Sequence, residues 1–347
     1  MKFNTQAQTF QKSITFISKF VEDNSHIPIL DCIKLYANPN SGRILSVGSD
    51  LEFWGSDSVE GDIEGGGKIC VPSDKLKKVL SNINGEVRVE LDGNQLKIES
   101  EYGDYNLVTQ SAEEYPDFPS VPDKTGVSLP DLSEIWKKSK WSIGSEQKDF
   151  VHIGENGGDL TFTTMSETGI TRSQYPVESD FDEIDAYIPS KFFKRLSKHS
   201  DKNVNCISSE NSITFRLENS LCNARLVANN SHNFDKYIPN NQPNSVQFNR
   251  KDLIDRLKPL SAFADFIDFE VNNEVEIKAS SNETGEGSSY ILPEEVLGER
   301  GLKFTLNIAY TIDVLKSLDG DSVKFEYGNG KSVKIEESNF TFVLLTL

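Results

Sequence analysis

Between Val71 and Leu107 the hydrophobic pattern switches from a helical period to a strand period. Behind Val71-Pro72, Leu76, Val79 and Leu80 recur at the spacing of one helix face; apolar and polar residues then alternate through strands joined at Asp92-Gly93, a hairpin signal. The same order returns in Ile188–Val227, again behind a proline, Pro189. It returns once more in Asn307–Leu347, which lacks the proline and turns at Gly328-Asn329-Gly330. Each segment follows a comparable half, a helix and then strands: the helices are predicted over Thr5–Phe20, Leu129–Ser142 and Asn249–Ala264. Repetition of one ordered unit signals one supersecondary design built several times.

The breaks between repeats fall where composition turns to Pro, Ser and Asn, in PDFPSVPDKTG and IPNNQPNS. The predicted organisation is three domains, 1–124, 125–244 and 245–347. They are of α+β class, each with two helices packed on antiparallel sheets. A chain of 347 residues is long enough for that number.

Charge changes the picture. Thirty-six Lys and Arg against 54 Asp and Glu leave a net charge of −18, which on average opposes an anionic partner. The basic residues are nevertheless gathered on helices. Behind Pro189, Lys191, Lys194, Arg195 and Lys198 fall on one helix face, with Phe192, Phe193 and Leu196 on the other and no acid before His199. Lys75, Lys77 and Lys78 repeat the bias, as do Lys137, Lys138 and Lys140, and Lys12 with Lys19. The third repeat adds Arg250, Lys251, Arg256 and Lys258, diluted by Asp252 and Asp255. One such stripe is ordinary for a solvated helix; five helices sharing it suggest a common surface for sequence-independent phosphate contacts. Acids such as those in Asp57–Glu64 and Glu178–Asp185 would then face outward.

Catalytic and metal signatures do not emerge. Cys32, Cys70, Cys206 and Cys222 are far apart and read as reduced core residues, and His26, His152, His199 and His232 fit no metal-ligand spacing. Neither a phosphate-binding P-loop nor a nucleophile elbow is present, and Gly65-Gly66-Gly67-Lys68 leads into a strand, so it reads as a turn. No cofactor or metal is expected. The N-terminus lacks the pattern of a signal peptide and no run is long enough to span a bilayer, so the expectation is a cytoplasmic protein without membrane contact. Two other readings compete with phosphate binding. One is an acidic β-rich hydrolase or carbohydrate-binding module using Trp54, Trp136 and Trp141 as platforms with paired carboxylates; the other is an interaction scaffold that does not touch DNA.

Several motifs, in order along the whole chain, resemble the bacterial DNA polymerase III beta subunit, the DNA sliding clamp. They are Met1-Lys2-Phe3, Ile27-Pro28-Ile29-Leu30, Ser49-Asp50-Leu51-Glu52, Val71-Pro72, Tyr115-Pro116-Asp117-Phe118-Pro119 and the hydrophobic C-terminal strand. The resemblance implies a non-enzymatic processivity factor: a head-to-tail homodimer of six domains closing into a ring, with the helices around double-stranded DNA. It further implies tethering of a DNA polymerase and opening by a separate clamp loader. Partner peptides would enter a cleft drawn from Val151, Met165, Gly169, Ile170, Lys236, Tyr237, Val343, Leu344, Leu345, Thr346 and Leu347. The chain departs from the family pattern across Met165–Arg172, in its last five residues and at Asn24, where a basic residue is usual.

Overall fold

The computed structural model describes residues 1–22, 25–124, 126–177, 184–198, 204–228, 232–328 and 331–346. Asn24, His199, Asn329, Gly330, Leu347 and most of the acidic segment 178–185 therefore lie outside the described residues. The first repeat opens with β1 (Lys2–Gln6) and α1 (Ala7–Ile17), then β2 (Cys32–Asn38), β3 (Arg43–Ser49), β4 (Phe53–Glu60), β5 (Asp62–Gly65) and β6 (Gly67–Pro72). Its second half is α2 (Ser73–Leu80), β7 (Glu86–Asp92), β8 (Gln95–Ser100) and β9 (Gly103–Val108). The second repeat begins with β10 (Val127–Leu129), α3 (Leu132–Ser139), β11 (Phe150–Asn156), β12 (Asp159–Met165), β13 (Gly169–Pro176) and β14 (Ala186–Pro189). It continues with α4 (Ser190–Leu196), β15 (Val204–Ser208), β16 (Ser212–Arg216) and β17 (Ser220–Arg225). The third runs β18 (Asn244–Asn249), α5 (Arg250–Leu260), β19 (Phe266–Val271), β20 (Val275–Ser281), β21 (Gly285–Ile291), β22 (Glu295–Leu297) and β23 (Leu302–Asn307). It ends with α6 (Ile308–Ser317), β24 (Ser322–Tyr327), β25 (Ser332–Glu337) and β26 (Phe340–Leu345).

The helices start where local chemistry lets them. Pro72 and Pro189, with φ near −54° and −52°, set the entry to α2 and α4. Asp131, Asn249 and Asn307 cap α3, α5 and α6 by accepting from Ser133, Asp252 and Tyr310 backbone N–H groups at 2.8, 3.1 and 3.1 Å. Several helix boundaries differ from the sequence expectation: the third helix, for one, begins at Leu132 and not Leu129, because Val127–Leu129 pairs with β15. The first helix begins at Ala7, because Lys2–Gln6 pairs with β7 and buries Phe3, a gain larger than local helix preference. The fifth helix stops at Leu260, one residue past Pro259.

Four antiparallel sheets result, and the described chain forms two compact units. Residues 1–129 with 201–226 hold a five-stranded sheet, β5-β1-β7-β8-β9, and an eight-stranded one, β10-β15-β16-β17-β4-β3-β2-β6. Residues 130–200 with 227–347 hold a nine-stranded sheet, β14-β11-β12-β13-β26-β25-β24-β18-β22, and a four-stranded one, β21-β20-β19-β23. A pairing rule runs through both. The third strand of a repeat's first meander joins the last strand of the following repeat: β4 to β17, and β13 to β26. Backbone hydrogen bonds fix the two joints in equivalent register. Arg225 N–H donates to the Glu52 carbonyl at 3.0 Å as Leu345 N–H donates to that of Thr168 at 2.9 Å. Under the same rule β21 and β9 are left as sheet edges.

Candidate functional site

The basic residues divide by their surroundings. On α4, Phe192, Phe193 and Leu196 are buried and Lys191 and Lys194 exposed, with Arg195 half-buried; Lys198, in the turn just past it, is exposed too. On α2, Leu76 and Leu80 turn inward while Lys75, Lys77 and Lys78 stand in solvent. Lys12, Lys140, Lys251, Arg256 and Lys258 are likewise exposed, Lys258 pairing with Asp255 at 3.0 Å; Lys19 lies half-buried over the Phe16 ring. Lys137 reaches Asp319 at 3.1 Å.

Two assignments need correction. Lys138 is only 2% exposed: its ammonium meets Glu337, Asp319 and Glu134 at 2.9, 3.0 and 3.2 Å and sits 4.7 Å from the Phe340 ring centroid. Burial opposes the charge, but these hydrogen bonds outweigh it and hold Lys138 above the ordinary lysine range; Lys138 and Lys137 in turn hold Asp319 below the ordinary carboxylate range. Arg250 is also committed internally. Its guanidinium donates to the carbonyls of Gly320 and, at 3.1 Å, Leu315, completing the C-terminal end of α6. Neither cation is free to meet a phosphate, because each is already engaged by acceptors within the fold.

The residues expected at the peptide cleft are sorted by strand alternation. Met165, Ile170 and Val343 lie in one cross-strand row, and all three are buried in a cluster with Phe150, Tyr187 and Phe234. Gly169 and Leu344, paired in the same ladder, point to the other face. There a Cβ on Gly169 would stand 2.6 Å from both the Trp141 ring and the Val343 carbonyl. Val151 is buried on that face too, since Phe150 beside it takes the cluster side. Val151, Gly169 and Leu344 are thus behind the row, not in it. Lys236, Tyr237 and Leu345 are exposed at the ends of the segments that bring in Phe234 and Val343, and Thr346 is half-buried, its N–H bound to the Lys331 carbonyl at 2.8 Å.

Sequence reasoning missed the aromatic part of this cluster. His152 packs at a tilt against Tyr187 and Phe234, with centroid distances of 4.5 and 5.0 Å, and its Nε2 bonds Asp185 Oδ1 at 2.6 Å. Burial pushes the His152 pKa down, against the pull of Asp185. The available signal was Asp149-Phe150, which stands in the second repeat where Asp31-Cys32 stands in the first; Cys32 and Cys70 occupy the corresponding smaller cluster with Val47 and Tyr115. Of the tryptophans, Trp54 and Trp141 are buried and Trp136 packs on Phe193, so none presents an exposed ring face of the kind that stacks on a sugar. Among the described residues no group of three His, Cys, Asp or Glu is placed to hold a metal, and no helix is long and apolar enough to cross a membrane.

Repeated helix-and-meander halves, sheets running through successive repeats and basic helix faces define a clamp-fold scaffold. Two family models of the DNA polymerase III beta subunit match the chain, that of its N-terminal domain over residues 1–119 and that of its C-terminal domain over 235–344. The beta sliding clamps of Staphylococcus epidermidis and Bacillus subtilis are each 23% identical over 94% of this chain and 93% of theirs. The crystal structure of the Bacillus subtilis DNA polymerase sliding clamp superposes with a TM-score of 0.91 at 20% identity, covering 100% of this chain and 99% of that one. That of the Pseudomonas aeruginosa DNA polymerase III subunit beta gives 0.92 at 18%, with both chains fully covered. The chain belongs to the DNA polymerase III beta subunit family, as a divergent member: it is a beta sliding clamp, a processivity factor and not an enzyme.

Proposed function

We propose that two copies of this chain close into a ring around double-stranded DNA and hold a DNA polymerase near its template. The observation that carries the reading is the pairing rule. With β4 joined to β17 and β13 to β26, the strands left over are β21 and β9. Their union between two copies, made at both ends, closes a head-to-tail dimer. In the register of the other joints, Asn106 of one copy would face Glu286 of the other. The three repeats would act as domains 1–124, 125–244 and 245–347.

Inside such a ring the exposed lysines of α2 and α4, with Lys12, Lys140, Lys251, Arg256 and Lys258, supply phosphate contacts that carry no sequence information. Topological retention makes high affinity unnecessary, and a polymerase tethered to the ring rebinds instead of diffusing away. Polymerase and clamp loader would dock through apolar peptides at the rim formed by Tyr237, Leu345 and Thr346, over the floor of Met165, Ile170 and Val343.

Reversing Lys191, Lys194 and Lys198 to Glu tests the DNA reading. Rings loaded on nicked circular DNA are expected to leave it much faster than wild type at low salt, with the difference shrinking as salt rises. Equal retention at every salt concentration would sink the assignment of α4 to the DNA surface.

A further inference from the structure

On the face of the eight-stranded sheet turned away from α1, the joint between β4 and β17 borders an open pocket of about 510 Å³, lined by Trp54, Pro119, Asn211, Ser212, Asn223, Arg225 and Leu226. Two deeply buried side chains there each leave one polar atom without a partner. Asn223 is 0% exposed; its amide nitrogen donates to Thr214 Oγ1 at 2.8 Å and to Ser212 Oγ at 3.4 Å, which fixes the group and leaves Oδ1 without a donor. Directly across the ladder Trp54 is 6% exposed and its Nε1–H has no acceptor. Native interiors keep few such orphans, and those they keep call for an explanation. Above them lies Arg225, an exposed cation whose guanidinium is 5.7 Å from the Trp54 ring centroid and which forms no ion pair among the described residues.

The equivalent positions at the other joint carry none of this polarity. Ile170 stands where Trp54 does, Val343 where Asn223 does and Leu345 where Arg225 does. Backbone pairing therefore does not require the polar set, since β13 and β26 join without it. A missing donor, a missing acceptor and an unpaired guanidinium around one cavity specify a guest with the reverse pattern.

We propose that this pocket binds a peptide presenting a carboxamide beside a carboxylate. The carboxamide oxygen accepts from Trp54 Nε1–H and its N–H donates to Asn223 Oδ1. The carboxylate draws Arg225 off the indole face into a paired, charge-assisted contact, which opens the cavity. The site is independent of DNA binding and of the apolar cluster around Phe150. Because the chain carries −18 overall, recognition rests on this local contact and not on the long-range field.

The test is a titration of the full-length protein with acetyl-Gln-Asp, followed by the indole N–H resonances of its three tryptophans. The Trp54 signal is assigned by Trp54→Phe. Saturable movement of the Trp54 resonance at about millimolar peptide is expected, with Trp136 and Trp141 unmoved. Arg225→Gln should weaken binding about tenfold, and acetyl-Gln-Asn should behave like that variant. An unmoved Trp54 resonance, or equal binding by Arg225→Gln or of acetyl-Gln-Asn, overturns the proposal; unmoved Trp136 and Trp141 signals in the variant show that it is folded.

Discussion

Where β4 meets β17 the facing residues are Trp54 with Asn223, Ser56 with Leu221 and Asp57 with Ser220; where β13 meets β26 they are Ile170 with Val343, Thr171 with Phe342 and Ser173 with Phe340. The backbone ladders are equivalent, yet one joint is laced by hydrogen bonds and the other is sealed by apolar contact. Ser220 donates to Asp57 at 2.6 Å and Arg43 to Asn219 at 2.8 Å in the first. In the second, Val343 and Ile170 lie among Phe150, Tyr187 and Phe234. Strand pairing thus builds the scaffold at both places, while the side chains are free to differentiate what each joint can hold.

The apolar joint is where a single change should do most damage. Val343→Asp places an uncompensated carboxylate in the aromatic cluster and is expected to cost on the order of 4 kcal/mol. Urea unfolding at one fixed protein concentration reads this out. Gly169→Ala comes next, at about 2–3 kcal/mol, because its methyl group meets the Trp141 ring and a carbonyl at 2.6 Å, and a backbone oxygen cannot step aside. Lys138→Met removes the cation from Glu337, the most buried of its three carboxylates, leaving it only the backbone N–H groups of Asp319 and Gly320, and should lower stability by about 2 kcal/mol. On the polar joint Ser220→Ala should cost only about 1 kcal/mol, one part-buried hydrogen bond. Similar losses for Val343→Asp and Ser220→Ala would erase the contrast between the joints.

The smallest effect separates the joints by pH. Burial lowers the His152 pKa below the 6.5 of a free imidazole, so the folded state favours the neutral ring. That contribution is full above pH 6.5 and declines as pH falls from there toward the folded pKa, because the unfolded chain binds the proton first. Melting temperatures at pH 7.5 and 5.5 should therefore converge slightly in His152→Gln relative to wild type. No change in the difference would remove His152 from the account.

Much of this was legible in the sequence because it is periodic. Repeats, helix faces such as Lys191–Lys198 over Phe192, Phe193 and Leu196, and the hairpin at Asp92-Gly93, where Gly93 adopts φ of 58°, follow from local spacing. What was not legible depends on distant partners. Lys138 looked like its neighbours until Glu337, 199 positions away, came to lie beside it, and Arg250 is claimed by carbonyls 65 and 70 positions on. At the apolar joint the right segments were identifiable, but strand parity, which separates Phe150 from Val151 and Val343 from Leu344, emerges only once the register is fixed. The polar pocket was not legible: Trp54 reads in sequence only as a candidate carbohydrate platform, and Asn223 stands out only once the two face each other.

The central claim is that the pairing rule continues between copies, and disulfide trapping tests it directly. The four native cysteines are buried, so Asn106→Cys with Glu286→Cys introduces the exposed thiols. Mild oxidation should convert this double variant into a covalent dimer, whereas the off-register pair Asn106→Cys with Ser288→Cys should cross-link far less. Monomers in both cases, or equal cross-linking in both, would contradict closure of the ring through β9 and β21.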